Sequence, residues 1–416
     1  MKKVLLGLVT LFFLIVFLSK FSLSWSKEFN EILSKNLCDG IPSVPVETMK
    51  GFCLGLVMND FEFPRGILPL DNGEILVVDM GSWQPQKGSL WKVLKQDGFY
   101  KKVFLLGGLD RPHAILKSPD GLIYVASADR LSVLKINTNG ATLIDVIGGE
   151  SGIEPFPSLG LHPLKQMAFD KDANLYINIG SASNNCEQTN KKIEINIGEC
   201  EETKGYNQRG IIRKYKKMID GGFNPDWEIY ASGLRNSMGM AFEPESQSLW
   251  QVENSRDKIS KYNPNLDDEL FPHDELNLII KGKNYGWPYC YDMGLPSPEY
   301  LNHNCSEFEN PALLLPAHSA PLGMAFHNGR NLPEFMQKGL FVTLNGYKST
   351  GNRIIYIPFN KDGQIIKNFF NVVYNWDKSN GLPKGAPVDI RVSNDGSLYI
   401  SDDRNGNLLR LSYIGK

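Results

Sequence analysis

The stretch Gly66–Val77, GILPLDNGEILV, carries the pattern that decides the fold. Two apolar runs flank an Asp-Asn-Gly turn, and this order is typical of a β-hairpin. The same phrase returns along the chain at His113–Val125, Met167–Ile177, Met238–Gln251, Leu322–Val342 and Val388–Ile400. Hairpins that recur at intervals of some tens of residues, with insertions between them, indicate a repeat architecture.

Most copies of the phrase carry a polar residue just before their first strand. These residues are Arg65, His113, His162, Arg235 with Asn236, and His318 with Ser319. Equivalent positions of successive blades converge on the central channel of a β-propeller. The sequence therefore predicts an all-β, six-bladed β-propeller of four-stranded antiparallel blades, with its chemistry at the channel.

Composition and length fit a single domain of this kind. The chain has 416 residues, of which 42% are hydrophobic and 22% charged, and its net charge is -2. This balance gives no indication of nucleic acid as a partner. We expect an N-terminal segment, 27–60, that closes the ring, and a propeller domain at 61–416 with a long insertion at about 253–310.

The first 26 residues differ from the rest of the chain. Lys2 and Lys3 precede an apolar run of 15 residues, Val4–Leu18, and small residues follow. This order predicts a secretory signal peptide over 1–26. The alternative is an uncleaved membrane anchor, although the run is shorter than the roughly 20 residues of a full span. Both interpretations predict bacterial export to the periplasm or beyond, with membrane contact only through this N-terminus.

The six cysteines fall into three local pairs: Cys38 and Cys53, Cys186 and Cys200, Cys290 and Cys305. An exported chain permits disulfides, and we expect each local pair to form one. A metal site is the alternative. The chain lacks Cys-x-x-Cys spacing, which disfavours it.

Two motifs point to chemistry at the channel. His162 lies just before the third inner strand, where a neutral histidine can serve as a general base; a histidine that only holds a turn is the alternative. Arg235 and Asn236, in Gly233–Gly239, occupy the same offset in the next repeat. An arginine there can bind an oxygen pair, or it can form an internal bridge to an aspartate.

Two further motifs offer a metal site and an anion site. Asp274, Glu275 and Tyr285 supply hard oxygen donors of the kind that Ca²⁺ takes, although a solvated acidic turn is the alternative. Lys348 and Arg353 bring two cations to a glycine-rich turn. They can hold an anionic cofactor or remain solvated loop cations.

Together these blocks resemble the soluble glucose/sorbosone dehydrogenase family, whose members are six-bladed propellers that use pyrroloquinoline quinone (PQQ) and Ca²⁺. The resemblance spans about 61–411. The blocks that carry it, in order, are Gly233–Gly239, Asp274–Asn277, Asn284–Pro288, His318–Gly323 and Gly346–Arg353. The last two, with Ser181–Glu187, are more similar to the sorbosone dehydrogenase branch.

The resemblance implies a PQQ- and calcium-dependent oxidoreductase that oxidises an aldose or related sugar at its anomeric carbon by hydride transfer to the quinone. It makes His162 the general base, with Arg235 and Asn236 beside the quinone oxygens. A separate electron acceptor, a quinone or a cytochrome, is implied because the chain lacks a Cys-x-x-Cys-His haem attachment site.

The resemblance also assigns the cofactor contacts. One Ca²⁺ would bridge cofactor and protein, and a second, structural Ca²⁺ would lie in the acidic block of the insertion. The residues implied are Ser319 at the cofactor edge, Lys348 and Arg353 at its carboxylates, and Asp274, Glu275 and Tyr285 at the structural metal.

The chain departs from the family pattern at two places. Leu161 and Pro163 flank the base histidine where the family often has Gly or Asp before it and Arg soon after. Ala386 stands where the family tends to have an arginine, for which Lys384 or Arg391 are possible substitutes. Two alternatives therefore stay open: a non-catalytic extracellular binding propeller, and a calcium-dependent lactonase.

Overall fold

Each of the six repeated hairpins forms the two inner strands of one antiparallel sheet. The computed structural model describes residues 37–138, 140–187, 199–346, 348–376 and 384–415, so the predicted signal peptide lies outside the described residues. The innermost strands of successive sheets contact one another in a closed ring. The prediction of an all-β, six-bladed β-propeller is confirmed.

Blades 1 to 3 each contain four strands, which are named in order from the channel outwards. Blade 1 comprises Pro64–Pro69, Ile75–Asp79, Gly88–Gln96 and Phe99–Leu109. Blade 2 comprises Ala114–Lys117, Ile123–Ala126, Leu131–Asn137 and Gly140–Ile147. Blade 3 comprises Met167–Phe169, Leu175–Ile179, Ile211–Tyr215 and Glu228–Ser232.

Blades 4 to 6 complete the ring. Blade 4 comprises Ser237–Phe242, Leu249–Glu253, Asp274–Ile279 and Leu313–Leu315. Blade 5 comprises Pro321–His327, Gly339–Leu344, Arg353–Pro358, Phe370–Tyr374 and, as a fifth strand, Glu47–Thr48. Blade 6 comprises Pro387–Val392, Leu398–Asp402, Asn407–Tyr413 and Phe52–Met58.

The ring is closed by strands from both ends of the described chain. Phe52–Met58 pairs antiparallel with Asn407–Tyr413 in blade 6, so the ladder joins residues far apart in sequence. Closure of this kind holds the first and last segments of the described propeller in one sheet, which keeps the ring from opening at the junction. The Cys38–Cys53 disulfide ties the short hairpin of Leu37–Cys38 and Ile41–Pro42 to the closing strand.

The remaining regular structure is short. The insertion carries a small hairpin of Cys290–Tyr291 and Leu295–Pro296, closed by the Cys290–Cys305 disulfide. The Cys186–Cys200 disulfide also forms, so all three expected pairs are confirmed. The 3₁₀ helices are Glu201–Thr203, Ile259–Lys261, Pro298–Tyr300, Cys305–Glu307 and Glu334–Met336. Within the described ranges, none of the helices has the length and apolar character needed to cross a membrane.

Neighbouring blades approach closely where glycine occupies an inner strand. A Cβ added at Gly66 would lie 2.5 Å from the carbonyl oxygen of His113, and one added at Gly323 would lie 2.4 Å from that of Val388. Real contacts of this kind require a residue without a side chain. The inner strands therefore pack backbone to backbone around the channel.

The antiparallel hairpins bring chemistry to one end of this channel. In each blade the first strand begins where the second strand ends, so the residues before the one and after the other lie at the same end. We call this end the polar mouth. It carries the in-phase residues Arg65, His113, His162, Arg235, Asn236 and Ser319.

Candidate active site

His162 and Asn236 meet at the polar mouth on either side of Gly180. A Cβ added at Gly180 would lie 2.6 Å from the Cβ of His162 and 3.5 Å from Oδ1 of Asn236. Gly180 follows the second strand of blade 3, whereas Asn236 lies just before the inner strand of blade 4. The glycine therefore lets residues of two blades converge.

The hydrogen bonds of His162 define its protonation. Its Nδ1 lies 2.8 Å from the hydroxyl and 3.0 Å from the carbonyl oxygen of Ser181. The Ser181 hydroxyl donates its own proton to the carbonyl of Ser183. Both oxygens near Nδ1 therefore act as acceptors, so Nδ1 carries the ring proton and Nε2 keeps a lone pair.

Electrostatics keep this imidazole neutral. Burial, with a further contribution from the positive charge of Arg235, lowers the pKa of His162 to about 3. An unprotonated ring with its lone pair on Nε2 is the form that a general base requires.

Arg235 is buried and held on all sides of its guanidinium group. Nε and Nη2 donate to the carbonyl oxygen and Oδ1 of Asn184, each at 2.9 Å, and Nη1 donates to the carbonyl of Asn254 at 2.9 Å. Asp257 lies 3.4 Å from Nη2. The main chain of Arg235 also accepts from the amide of Ser181, which couples it to the partner of His162.

Asn236 brings an unsatisfied acceptor to the same place. Its backbone amide donates to the carboxylate of Glu253 at 2.7 Å, which fixes the main chain at this position. Its side-chain Oδ1 is buried and has no hydrogen-bond partner within the described residues. Buried acceptors are rarely left unpaired, so this oxygen marks a place for an external donor.

A second polar cluster lies across the channel. Arg65 Nη1 contacts Asp403 at 2.5 Å, and Arg65 Nε donates to His113 Nδ1 at 3.2 Å. Asn345 reaches the other oxygen of Asp403 at 3.5 Å. Burial, followed by the charge of Arg65, lowers the pKa of His113 well below its ordinary value. The repeat pattern predicted Arg65 and His113 but not Asp403 and Asn345, which follow second strands.

Asp274 and Ser319 form one contact. Asp274 accepts from the Ser319 hydroxyl at 3.1 Å, from the Ala320 amide at 2.8 Å and from the Ser255 amide at 2.9 Å. Burial raises the pKa of Asp274 to about 6, against the effect of these bonds. Ser319, which the resemblance places at the cofactor edge, therefore contacts Asp274, the buried carboxylate that the resemblance makes a ligand of the structural metal.

Glu275 faces a different partner. It pairs across the blade 4 ladder with Glu253, and both are buried. Burial raises the pKa of Glu253 to about 7, and burial with the charge of Glu253 raises that of Glu275 well above its ordinary value. Two buried carboxylates drawn together in this way suit a divalent cation. Since successive side chains of a strand alternate, Asp274 and Glu275 point to opposite faces.

Tyr285 uses its hydroxyl elsewhere. The phenol donates to the carbonyl of Leu278 at 2.5 Å and accepts from the amide of Ile280 at 2.9 Å. Leu278 lies three residues beyond Glu275, roughly 10 Å along the strand. The structure therefore does not bring this hydroxyl to the carboxylates, and its role as a metal ligand stays a prediction.

Lys348 and Arg353, which lie at the connection between the second and third strands of blade 5, both contact other groups of the protein. The Lys348 ammonium group pairs with Glu269 of the insertion. Arg353 donates to the carbonyls of Ser349 at 2.9 Å and Gly351 at 3.2 Å. Their pairing with cofactor carboxylates stays a prediction.

Of the two possible substitutes for the missing arginine, Lys384 precedes the inner strand of blade 6, at the end where the polar mouth lies. Lys384 is exposed, and Arg391 lies inside the inner strand of blade 6, bound to Asp389 at 3.1 Å. Ala386 is buried, and its carbonyl accepts from the amide of Asp403. Asp403 also binds Arg65, so the guanidinium group of a blade 1 residue lies near Ala386, where the family tends to have an arginine.

Comparison with known proteins identifies the family of this chain. Residues 152–410 match the family described as Glucose / Sorbosone dehydrogenase, so the chain belongs to this family and the resemblance is confirmed. An uncharacterised protein of Borreliella burgdorferi is 26% identical over 355 residues, covering 76% of this chain and 90% of its own. The aldose sugar dehydrogenase YliI of Escherichia coli is 29% identical over 202 residues, but the match covers only 44% of each chain.

Solved structures share the fold at low sequence identity. A Trichoderma reesei protein of Carbohydrate-Active Enzymes Family AA12 superposes with a TM-score of 0.73 and 20% identity, covering 91% of this chain and 100% of that one. The PQQ-bound aldose sugar dehydrogenase of Streptomyces coelicolor superposes with a TM-score of 0.56 and 18% identity, covering 88% and 99%.

Proposed function

We propose that this protein is an exported PQQ- and Ca²⁺-dependent dehydrogenase that oxidises an aldose or related sugar at its anomeric carbon. The observation that carries the proposal is the state of His162. Its Nδ1 proton is committed to Ser181, which leaves Nε2 as a proton acceptor beside Arg235 and Asn236. Related proteins named as aldose sugar dehydrogenase and PQQ-dependent sugar dehydrogenase support the same chemistry.

His162 takes the proton of the anomeric hydroxyl on Nε2. Burial, and then the charge of Arg235, disfavour the imidazolium that forms, and the negative charge of Asp257 offsets part of this effect. Ser181 holds the ring throughout, because both of its oxygens accept from Nδ1. The unpaired Oδ1 of Asn236 accepts a second sugar hydroxyl, which orients the substrate.

The resemblance implies a planar polyanionic cofactor, and to bind it Lys348 would exchange Glu269 for a cofactor carboxylate. Arg235, Asn236 and Ser319 would lie at its edge, and Lys348 and Arg353, from the connection between the second and third strands of blade 5, would pair with its carboxylates. When bound, PQQ supplies the hydride acceptor and Ca²⁺ supplies Lewis-acid assistance.

A structural Ca²⁺ belongs in the acidic block of the insertion. The raised pKa values of Asp274 and Glu275 mean that burial opposes their charge in the metal-free protein. A divalent cation would remove that opposition. Asp274 and Glu275 point to opposite faces, so Glu275 and Glu253, which face each other across the ladder, are the pair that we propose for one cation, whereas Asp274 and Tyr285 stay ligands predicted from the sequence alone.

Export follows from the N-terminus and the cysteines. The basic residues and apolar run at 1–26 predict a signal peptide or anchor, and three disulfides suit an oxidising compartment such as the periplasm. A separate electron acceptor, a quinone or a cytochrome, receives the electrons outside this chain.

Titration of the purified protein with PQQ in excess Ca²⁺, followed by anaerobic addition of an aldose mixture, tests the proposal. We expect saturable binding and loss of the oxidised-quinone absorbance when sugar is added. Absence of binding would contradict the proposal and favour a non-catalytic binding propeller. Hydrolysis of a lactone by the Ca²⁺-loaded protein without PQQ would favour the lactonase.

A further inference from the structure

A buried lysine donates hydrogen bonds to the loop that contains His162. Lys165 is fully buried, and its Nζ donates to the carbonyl oxygens of Pro157 at 3.0 Å and Pro163 at 2.5 Å. These two carbonyls flank His162 in sequence. We call Pro157–Pro163 the His162 loop.

Two arginines hold the carbonyls in between. Arg111, from the turn before blade 2, donates to the carbonyl of Ser158 at 3.4 Å, and Arg209, two residues before the third strand of blade 3, donates to that of Leu159 at 3.2 Å. Three successive carbonyls, from Pro157 to Leu159, are thus each bound by a different cation. Hydrogen bonds from charged donors are stronger than those between neutral groups.

The other side of the loop rests against blade 3. The amide of Leu161 donates to the carbonyl of Ala182 at 2.9 Å. Gly160 has a φ of +109°, and a Cβ added there would lie 2.6 Å from the Cα of Ala182. The loop is therefore fixed by backbone contacts just beyond Ser181, the partner of His162.

Stability alone gives a poor account of Lys165. Burial, and then the charges of Arg209, Arg111 and Arg213, lower its pKa to about 7, and only Asp129 acts in the opposite direction. A buried amine surrounded by other cations costs free energy that an apolar side chain of similar length would avoid. The geometry instead indicates a task that needs two donors at this point.

We propose that Lys165, with Arg111 and Arg209, is a positioning residue that fixes the His162 loop and so holds the His162 ring against Ser181. This inference rests on the proposed role of His162 as the base. The loop tether places the ring; Lys165 itself touches neither substrate nor cofactor.

The test uses Lys165→Met, which keeps the length of the side chain and removes the donors. The matched control is Lys217→Met in the same blade, because the Lys217 ammonium group binds Asp120 at 2.7 Å and Tyr124 at 2.6 Å, away from the His162 loop. Amide hydrogen exchange of the loop and the NMR resonance of the His162 ring are measured without cofactor. PQQ affinity, kcat and KM are measured with PQQ and Ca²⁺.

We expect faster exchange in the His162 loop and a shifted ring resonance in Lys165→Met alone. Since misplacement by about 1 Å can cost a hundredfold in rate, we expect kcat to fall by at least about tenfold, with PQQ affinity and KM within about twofold of wild type. Lys217→Met should match wild type in all of these readouts. If Lys165→Met does not fold, Arg209→Gln, which removes a single outer tether, should show the same pattern to a smaller extent.

Unchanged exchange, or faster exchange with unchanged kcat, would overturn the inference. The exchange and resonance measurements need no cofactor. A wild-type protein that failed to oxidise any sugar would therefore contradict the proposed function, while the loop measurements would still show whether Lys165 places the His162 ring.

Discussion

Acid should destabilise the folded protein through His162, by an amount that follows from the surroundings of its ring. Burial and Arg235 lower the pKa of His162 to about 3 in the folded state, whereas the ordinary value is 6.5. As the pH falls below the ordinary pKa, His162 binds a proton in the unfolded chain but stays unprotonated in the folded chain. The free energy of unfolding is therefore unaffected by His162 above pH 6.5, the ordinary pKa. It decreases as the pH falls from there towards the folded-state pKa of about 3.

The size of the loss follows from the distance between the pH and the ordinary pKa. At about pH 5 the unfolded histidine lies about 1.5 pKa units into its protonated range, and each unit is worth about 1.36 kcal/mol. The folded state therefore loses about 2 kcal/mol relative to about pH 8, where the contribution is close to zero.

Replacement of His162 by Gln removes the titration and keeps a polar side chain. The free energy of unfolding is measured by chemical denaturation without PQQ, at about pH 5 and about pH 8, for wild type and His162→Gln with the disulfides intact. Groups that titrate in both proteins cancel in the double difference. Wild type should lose about 2 kcal/mol more than the variant between the two pH values. Equal losses would show that the ring is solvated and would refute the burial on which its role as a base depends.

Three further perturbations follow from the site. Asp403→Asn leaves Arg65 buried beside a neutral partner, and we expect a loss of about 3 to 5 kcal/mol in the free energy of unfolding. Chelation of Ca²⁺ should lower the unfolding temperature of wild type reversibly, but not that of Glu275→Gln, as followed by calorimetry. Gly180→Ala places a methyl group 2.6 Å from the Cβ of His162, so kcat should fall by at least about tenfold while the folded structure by circular dichroism is unchanged.

Each of these perturbations has a matched control. Asp395→Asn changes an exposed partner of Arg410 and should cost less than about 1 kcal/mol. Glu334→Gln, at an exposed position, should leave the effect of Ca²⁺ removal intact. Gly222→Ala adds a methyl group whose nearest neighbours are flexible side-chain atoms, and kcat should not change. Equal effects in variant and control would contradict the corresponding prediction.

The fold could be predicted because every blade repeats the same local signal. Alternating apolar runs around a turn, as in Gly66–Val77, specify a hairpin without help from distant residues. The phase of the repeat then specifies which side chains face the channel. The phase predicted Arg65, His113 and His162, all of which lie at the polar mouth.

The partners of these residues could not be predicted in the same way. Ser181, Asn184 and Asp403 come from segments after second strands, which have no fixed length or pattern, and only closure of the ring brings them to the mouth. The sequence did contain part of this information. Residues that follow a second strand lie at the same end of the channel as residues that precede a first strand, so their place at the mouth was predictable, although their partners were not. Lys165 carried no such signal, because its buried contacts depend on a turn between blades.

The contacts of Lys348, Arg353 and Tyr285 could not be predicted from the sequence for a different reason. A glycine-rich turn that contains Lys348 and Arg353 reveals two cations but not their direction, and the structure gives the Lys348 ammonium group to Glu269 and Arg353 to nearby carbonyls. Tyr285 lies close to Glu275 in sequence. Its hydroxyl instead binds the backbone at Leu278, because side chains of neighbouring segments are placed by tertiary packing rather than by spacing.

The central claim is that His162 is the base of a PQQ-dependent sugar oxidation. The most direct test is rapid mixing of PQQ-loaded, Ca²⁺-replete protein with an oxidisable aldose under anaerobic conditions, in wild type, His162→Gln and His327→Gln. His327 is buried and bound to the carbonyl of Gly396, at the end of the blade 5 inner strand away from the polar mouth. We predict that sugar reduces the quinone in wild type and His327→Gln, and that His162→Gln binds PQQ but is reduced at least about a hundredfold more slowly. Reduction of His162→Gln at the wild-type rate would contradict the account.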